Sequence, residues 1–345
     1  MDLNCPVPIT DYERVLLAHG GGGKLMHQLI DQMIYQELRN EFLDQNHDGA
    51  ILPINENKMA FTTDSFVVSP IFFPGGDIGD LAINGTINDL VCCGAKPLYL
   101  SLGFIIEEGL LMEDLWRVIQ SIKKAVKKAG VKIVTGDTKV VEKGKGDGIF
   151  INTSGIGELL PNQNINPVNC KAGDVIIING GIAEHGIAII SKREELQFET
   201  NIKSDSAALN SMMQKVFEKC DNLHVLRDPT RGGLASTLNE IAQLSNTGIS
   251  LVEKKIPIDE SVKGACELLG FDPLYVANEG KILLILPKAD ADKVIDIMKQ
   301  YPEGKNTKII GEVTENHPGK VQLETVIGSK RIVDMISGEQ LPRIC

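Results

Sequence analysis

Apolar and polar positions alternate with two different periods along this chain, and the changes of period mark its elements. Leu25, Met26, Leu29, Ile30, Met33, Ile34 and Leu38 recur at helical spacing, which predicts a helix directly after a glycine-rich stretch. Residues 59–68 read as a strand interrupted by an acid, 78–95 as a helix and 97–106 as a strand. Leu111, Leu115, Val118, Ile119, Ile122 and Val126 form one face of an amphipathic helix over 111–129. Strands are expected at 131–134, ending in Thr135-Gly136-Asp137-Thr138-Lys139, and at 149–156. In the second half the pattern predicts strands at 174–179, 281–286 and 308–313. It predicts helices at 185–191, 204–220, 234–244 and 289–300.

The polar, turn-rich stretch 161–167 is the best domain break. It separates an N-terminal domain over 40–160 from a C-terminal domain over 168–320. Residues 1–39, with the glycine-rich loop and its helix, precede them, and a strand region with a mobile tail over 321–345 follows. Strands and helices recur in both halves, which fits two α+β domains better than one doubly wound sheet.

Composition narrows the function. The 345 residues carry 46 acidic against 35 basic side chains, a net charge of −11, which argues against a nucleic-acid partner. The densest basic group, Lys123, Lys124, Lys127 and Lys128, sits at helical spacing and reads as a solvated face. No charged-then-apolar leader and no bilayer-length apolar run is evident, so a cytoplasmic protein without a membrane partner is expected. The seven cysteines include no CxxC pair, which speaks against a disulfide framework or a zinc cluster. Cys92 and Cys93 read as small buried hydrophobes.

Two features could carry chemistry. Four glycines, Gly20 to Gly23, feed Lys24 and the start of a helix, which suits either an anion cradle or a flexible hinge. A Walker A loop is excluded, because Ala18 and Leu25 stand where that motif needs glycine and serine or threonine. The second feature is a set of acids in turns or at element ends: Asp64, Asp89, Asp137, Asp228 and Glu279. Dispersed carboxylates suit a magnesium-nucleotide site, although aspartate in turns and caps is also common for conformational reasons alone. His185, in Glu184-His185-Gly186, is a secondary candidate for the site and reads more simply as a capping or packing histidine. The chain ends in Pro342-Arg343-Ile344-Cys345, and the nine residues from Ser337 span roughly 30 Å if extended. Such an end is either a frayed terminus or a thiol on a movable arm.

Taken together, these stretches resemble the HypE family of hydrogenase-maturation carbamoyl dehydratases, within the AIR synthetase-like (PurM-like) superfamily. The matching motifs are His19 to Lys24, Thr62-Thr63-Asp64-Ser65-Phe66-Val67-Val68, Gly85-Thr86-Ile87-Asn88-Asp89-Leu90 and Gly136-Asp137-Thr138-Lys139-Val140-Val141. Further matches are Asp228-Pro229-Thr230-Arg231-Gly232-Gly233-Leu234, Asn278-Glu279-Gly280-Lys281 and the terminal Pro-Arg-Ile-Cys. The last of these separates the family from its superfamily relatives. The glycine loop departs from many relatives, which carry a serine within it; that bears on nucleotide handling.

The resemblance implies a two-domain α+β fold. Its N-terminal α/β domain would form a dimer-spanning β-barrel with a second copy, beside a C-terminal α+β domain and a flexible C-terminal tail. It implies ATP-dependent dehydration of a carbamoyl group, held as a thiocarboxamide on Cys345, to a protein thiocyanate. The cyanide would become a ligand of the iron in nickel–iron hydrogenase. ATP and Mg²⁺ would be the cofactors. The partners would be the carbamoyltransferase HypF, the iron-carrying HypC–HypD scaffold and a second copy of the chain. By the same resemblance Gly22, Gly23, Lys24, Asp64, Asn88, Asp89, Asp137, Thr138, Asp228 and Arg231 belong to the nucleotide site, with Asp64, Asp89, Asp137 and Asp228 as metal ligands. Cys345, Lys139 and Glu279 are the catalytic set, Lys139 being either a base or a charge partner of phosphate, and Arg343 steers the tail or aids its recognition. Two other readings stay open at this level: a kinase or synthetase acting on a free small molecule, and a thiol carrier protein without catalysis.

Overall fold

Residues 23–29, 31–32, 44, 50–54, 57–161, 163–195, 202–338, 341 and 343–345 are described in this computed structural model. Gly20 to Gly22, Pro342 and most of the helix expected up to Leu38 lie outside the described residues; of that helix, α1 (Lys24–Leu29) is described.

The first domain is built on a five-stranded sheet of β1 (Ala50–Ile54), β2 (Asn57–Phe66), β5 (Ala95–Glu107), β6 (Lys132–Val141) and β7 (Ile149–Leu159), in the order β1-β2-β7-β5-β6. A small ribbon of β3 (Phe72–Phe73) and β4 (Gly76–Asp77) leads into helix α2 (Ile78–Cys92). That helix starts where it does because Asp77 and Asp80 form a reciprocal capping box. It is buried nearly all round, as a helix between two layers must be. Close approach to the sheet is permitted by Gly155, whose added Cβ would lie 2.9 Å from Leu90 and Thr86 side-chain atoms. The crossover from β5 to β6 runs through helix α3 (Met112–Ala129), which ends at Gly130 with φ 72°.

Two differences from the sequence pattern have physical causes. The strand expected at 131–134 continues to Val141, because parallel pairing with β5 occupies the backbone that a turn would leave open. On α3 only part of the expected apolar face is covered: Val118 and Ile122 are buried, whereas Leu111 and Ile119 are exposed together with Met112 and Trp116.

The second domain carries a seven-stranded sheet ordered β14-β13-β10-β12-β8-β11-β9. Its strands are β8 (Asp174–Ile178), β9 (Val225–Arg227), β10 (Gly248–Val252), β11 (Leu283–Pro287), β12 (Lys308–Thr314), β13 (Val321–Glu324) and β14 (Lys330–Val333). The sheet therefore runs on past the boundary expected at residue 320. Helices α4 (Glu184–Arg193), α5 (Asn210–Phe217), α6 (Gly233–Ser245), α7 (Glu260–Leu269) and α8 (Lys288–Met298) accompany it. Among the described residues no helix is long and apolar enough to cross a membrane.

The domains meet along α2. The helix expected from Ser204 begins only at Asn210, because the preceding residues bond across the junction instead. Ser204 N donates to Pro74 O (2.7 Å), Leu209 N to Asn88 Oδ1 (3.0 Å), and Asn88 Nδ2 to Ala207 O (3.0 Å). Tertiary partners thus override local helical preference.

Candidate active site at the domain junction

The site collects the end of β2, the middle of α2, the loop after β9, the loop before β11 and the C-terminal tail. Asp64 accepts from its neighbour Ser65 N (2.7 Å), and Thr62, two residues earlier on the same face, donates to Asp89 Oδ2 on α2 (2.8 Å). Asn88 donates to Glu279 O (3.2 Å), which ties α2 to the second domain. Asn278 joins three segments: it accepts from Ala183 N (2.8 Å) and donates to Pro229 O (2.7 Å). The Asp228–Arg231 loop and the Glu279 loop are thereby held as one unit.

Beneath Glu279 lies an ionic layer. Asp205 accepts from Glu279 N and Gly280 N, both at 3.2 Å, and pairs with Lys281 Nζ (3.1 Å), which also reaches Glu184 Oε2 (3.0 Å). Burial pushes the Asp205 carboxyl up, but the Lys281 ammonium and the hydrogen bonds from Lys281 and Gly280 N outweigh it and hold it below the usual carboxylate range. Gly280 is fixed as glycine by this contact, since a Cβ there would lie 1.8 Å from Asp205 O.

Glu279 has the opposite character. Burial, then the negative charges of Asp64, Asp228 and Asp205, push its carboxyl well above the usual range. Burial likewise raises Asp64, with Arg231 opposing.

The chain's last residue enters this cluster. Cys345 is buried beside Glu279 and lies within the electrostatic reach of Arg231 and Asp64; burial pushes its thiol far up. Two backbone hydrogen bonds hold the tail: Val67 N donates to Cys345 O (3.0 Å) and Ser69 N to Arg343 O (3.2 Å). The Arg343 side chain donates to Val67 O (3.0 Å) and pairs with Asp147. At its base, Lys24 N donates to Ile336 O (3.0 Å), and a Cβ on Gly23 would lie 2.6 Å from Ile336. Gly23 and Lys24 thus touch the root of the tail, whereas Gly22 lies outside the described residues.

Asp64, Asn88, Asp228, Arg231, Glu279 and Cys345 come together, with Asp89 adjoining them through Thr62. Asp137, Thr138 and Lys139 stand apart on edge strand β6. Asp137 and Lys139 pair with each other and keep 69% and 67% of their side chains exposed. The register aligns Asp137 with Gly103, Asn152 and Ser65, so it lies on the face opposite to Asp64. With β7 and β5 in between, β6 is about 14 Å from β2. Among the described residues no three His, Cys, Asp or Glu side chains converge as metal ligands. One observation nevertheless fits a cation: Glu279 Oε1 is buried without a hydrogen-bond partner among the described residues, beside carboxylates whose surplus negative charge a cation would neutralise.

Sequence reasoning missed Glu184, Asp205 and His185 as supports of the site. Lys281, inside the Asn278-Glu279-Gly280-Lys281 motif, was the available signal, since a buried lysine calls for acidic partners.

Family models for the AIR synthase related protein match twice, the N-terminal domain over residues 46–159 and the C-terminal domain over 171–324. The carbamoyl dehydratase HypE of Azotobacter vinelandii is 49% identical over 331 residues, covering 96% of this chain and 97% of that protein. The chain belongs to the HypE family. Solved HypE structures agree. A HypE–HypF complex superposes with a TM-score of 0.85 at 49% identity, covering 89% of this chain and 99% of that one. A HypE in complex with ATP superposes with a TM-score of 0.82 at 46% identity, covering 96% of this chain and all of that one (100%). In this chain the terminal thiol of Cys345 has a defined, buried place.

Proposed function

We propose that this protein is an ATP-dependent carbamoyl dehydratase whose substrate is carried on its own Cys345. The observation that carries the reading is the burial of the Cys345 thiol against Glu279, inside the cluster that includes Asp64 and Arg231. The reaction converts S–C(=O)–NH₂ to S–C≡N. The carboxamide oxygen leaves on the γ-phosphoryl group of ATP, giving ADP and phosphate, and the nitrogen loses both protons. An amide oxygen is a poor leaving group without that activation.

This chain's residues supply position, charge and dryness. The Val67, Ser69 and Arg343 contacts fix the tail, and the burial of Ile344 and Cys345 excludes water from the activated group. Glu279, next to the sulfur, is placed to exchange a proton with the carboxamide nitrogen. Asp64, Asp89 and Asp228 are the proposed Mg²⁺ holders, with Arg231, Asn88, Gly22, Gly23 and Lys24 in nucleotide binding. Magnesium, when bound, neutralises charge on the phosphates.

Asp137, Thr138 and Lys139 enter through a homodimer. The first sheet leaves Phe61 on β2, Tyr99 and Ile105 on β5, and Val134 and Val140 on edge strand β6 exposed, apolar surface that pairing with a second copy into a barrel would cover. These three residues stand beside that area, and we assign them to a site completed across the interface. HypF, the proposed source of the carbamoyl group, and the HypC–HypD complex, the proposed acceptor of cyanide, complete the set of partners.

The test is intact-protein mass spectrometry of the full chain with the carbamoyltransferase, carbamoyl phosphate and ATP. A carbamoyl adduct on Cys345 that loses one water only when ATP is added is the expected result. An adduct that never loses water would leave only a carrier. ATP turnover that persists unchanged in Cys345→Ala would favour a small-molecule kinase.

A further inference from the structure

His185 lies at the second position of α4, with its side chain fully buried. Phe73 meets it edge-on, with ring centroids 5.6 Å apart. Its two ring nitrogens have different partners: Nδ1 is 2.8 Å from Ser204 Oγ, and Nε2 is 2.7 Å from the carbonyl oxygen of Ile344. A carbonyl can only accept, so Nε2 carries the proton and Nδ1 accepts from the Ser204 hydroxyl. The arrangement closes, because Ser204 Oγ in turn accepts from Ser206 N (3.1 Å). Burial keeps the ring neutral, as this tautomer requires.

The last three residues of the tail each have a main-chain oxygen held by a donor of the body. Arg343 O takes Ser69 N and Arg193, Ile344 O takes His185, and Cys345 O takes Val67 N. Ile344 directly precedes the thiol, so its carbonyl sets where the last residue points.

We infer that His185 is a positioning residue for the reaction: its Nε2–H grips the carbonyl of Ile344 and holds the tail inward, so that the Cys345 sulfur lies against Glu279. The inference rests on the reading that Cys345 carries the reacting group. It gives the tail a latch. Loading the sulfur from a partner requires the tail to leave the junction, and dehydration requires it to return.

The experiment compares maleimide labelling of the full-length protein, mapped by mass spectrometry at each cysteine, in wild type, His185→Ala, His185→Gln and Ser204→Ala. Losing one buried hydrogen bond to the tail should speed labelling of Cys345 about tenfold in His185→Ala. Cys170, buried in a cluster that no tail residue joins, should keep its wild-type rate. Glutamine can place an amide N–H where Nε2–H was, so His185→Gln should return towards wild type. Ser204→Ala, a smaller change that frees the ring tautomer, should fall between. Equal Cys345 rates in all four proteins would overturn the latch. So would a parallel rise at Cys170, which would mean general loosening. With loaded protein, His185→Ala should keep its carbamoyl adduct and lose water more slowly than wild type. Wild type that never loses water with ATP would sink the dehydratase reading, while the labelling rates would still decide the latch.

Discussion

The Cys345 thiol lies beside the Glu279 carboxyl, and both groups are buried. A carboxyl held well above its usual range, beside the sulfur proposed to carry the substrate, is suited to proton transfer rather than to a permanent charge. Glu279→Gln keeps the shape and removes the proton-transfer capacity. ATP-dependent water loss from the carbamoylated protein should fall by about 10²–10⁴-fold, with carbamoylation itself retained. A time course of intact mass reads both steps, and an unchanged rate of water loss would remove Glu279 from the chemistry.

Lys281 is the cation of the buried layer beneath that carboxyl. Lys281→Met leaves Asp205 and Glu184 facing each other without it, a loss of about 3–5 kcal/mol when one partner of a buried pair is removed. Denaturant unfolding should show it, and adding Asp205→Asn to the same protein should recover part of the loss.

Gly280→Ala tests the backbone contact directly. The new methyl group would overlap Asp205 O, and the shift needed to relieve it should cost about 1–3 kcal/mol. A variant with the wild-type unfolding midpoint would show that the loop is less tightly packed than described.

Asp80, in the capping box of α2, is pushed up to about 6, mainly by burial. A folded-state value above the ordinary one means that the folded protein binds the proton more tightly. The stability this gives is complete below about pH 4 and is lost as pH rises through about 6. The loss is on the order of 2–3 kcal/mol. Asp80→Asn keeps an acceptor for Asp77 N and cannot titrate, so the difference between its stability and that of wild type should shift in its favour from pH 4 to pH 7. A constant difference across that window would count against the assignment.

Lys139→Ala and Glu279→Gln should each be inactive alone. If Lys139 serves the site of the second copy, mixed dimers carry one site with both residues intact, and a re-equilibrated mixture should regain about a quarter of wild-type activity. No recovery would place Lys139 in the site of its own chain.

The sequence alone settled much of this protein because several of its motifs are local. The alternation over 57–66, the long buried run of α2 and the apolar strands β8 and β11 each carry their period within one segment, so element type was legible. So was the resemblance that gathers Asp64, Asp228, Glu279 and Cys345 in one family pattern. β9, β10 and β13 lack the continuous apolar runs of β8 and β11 and are too short to show a period. Residues 204–209 carry a helical pattern but bond to α2 and the Pro74 turn instead. Only the tertiary structure could bring Asp205 under Glu279, stand Asp137 and Lys139 on the opposite face of the sheet, and turn His185 from a packing residue into a contact of the tail. Those relations depend on hydrogen bonds between segments far apart in the chain, which no local pattern of hydrophobic and polar positions encodes.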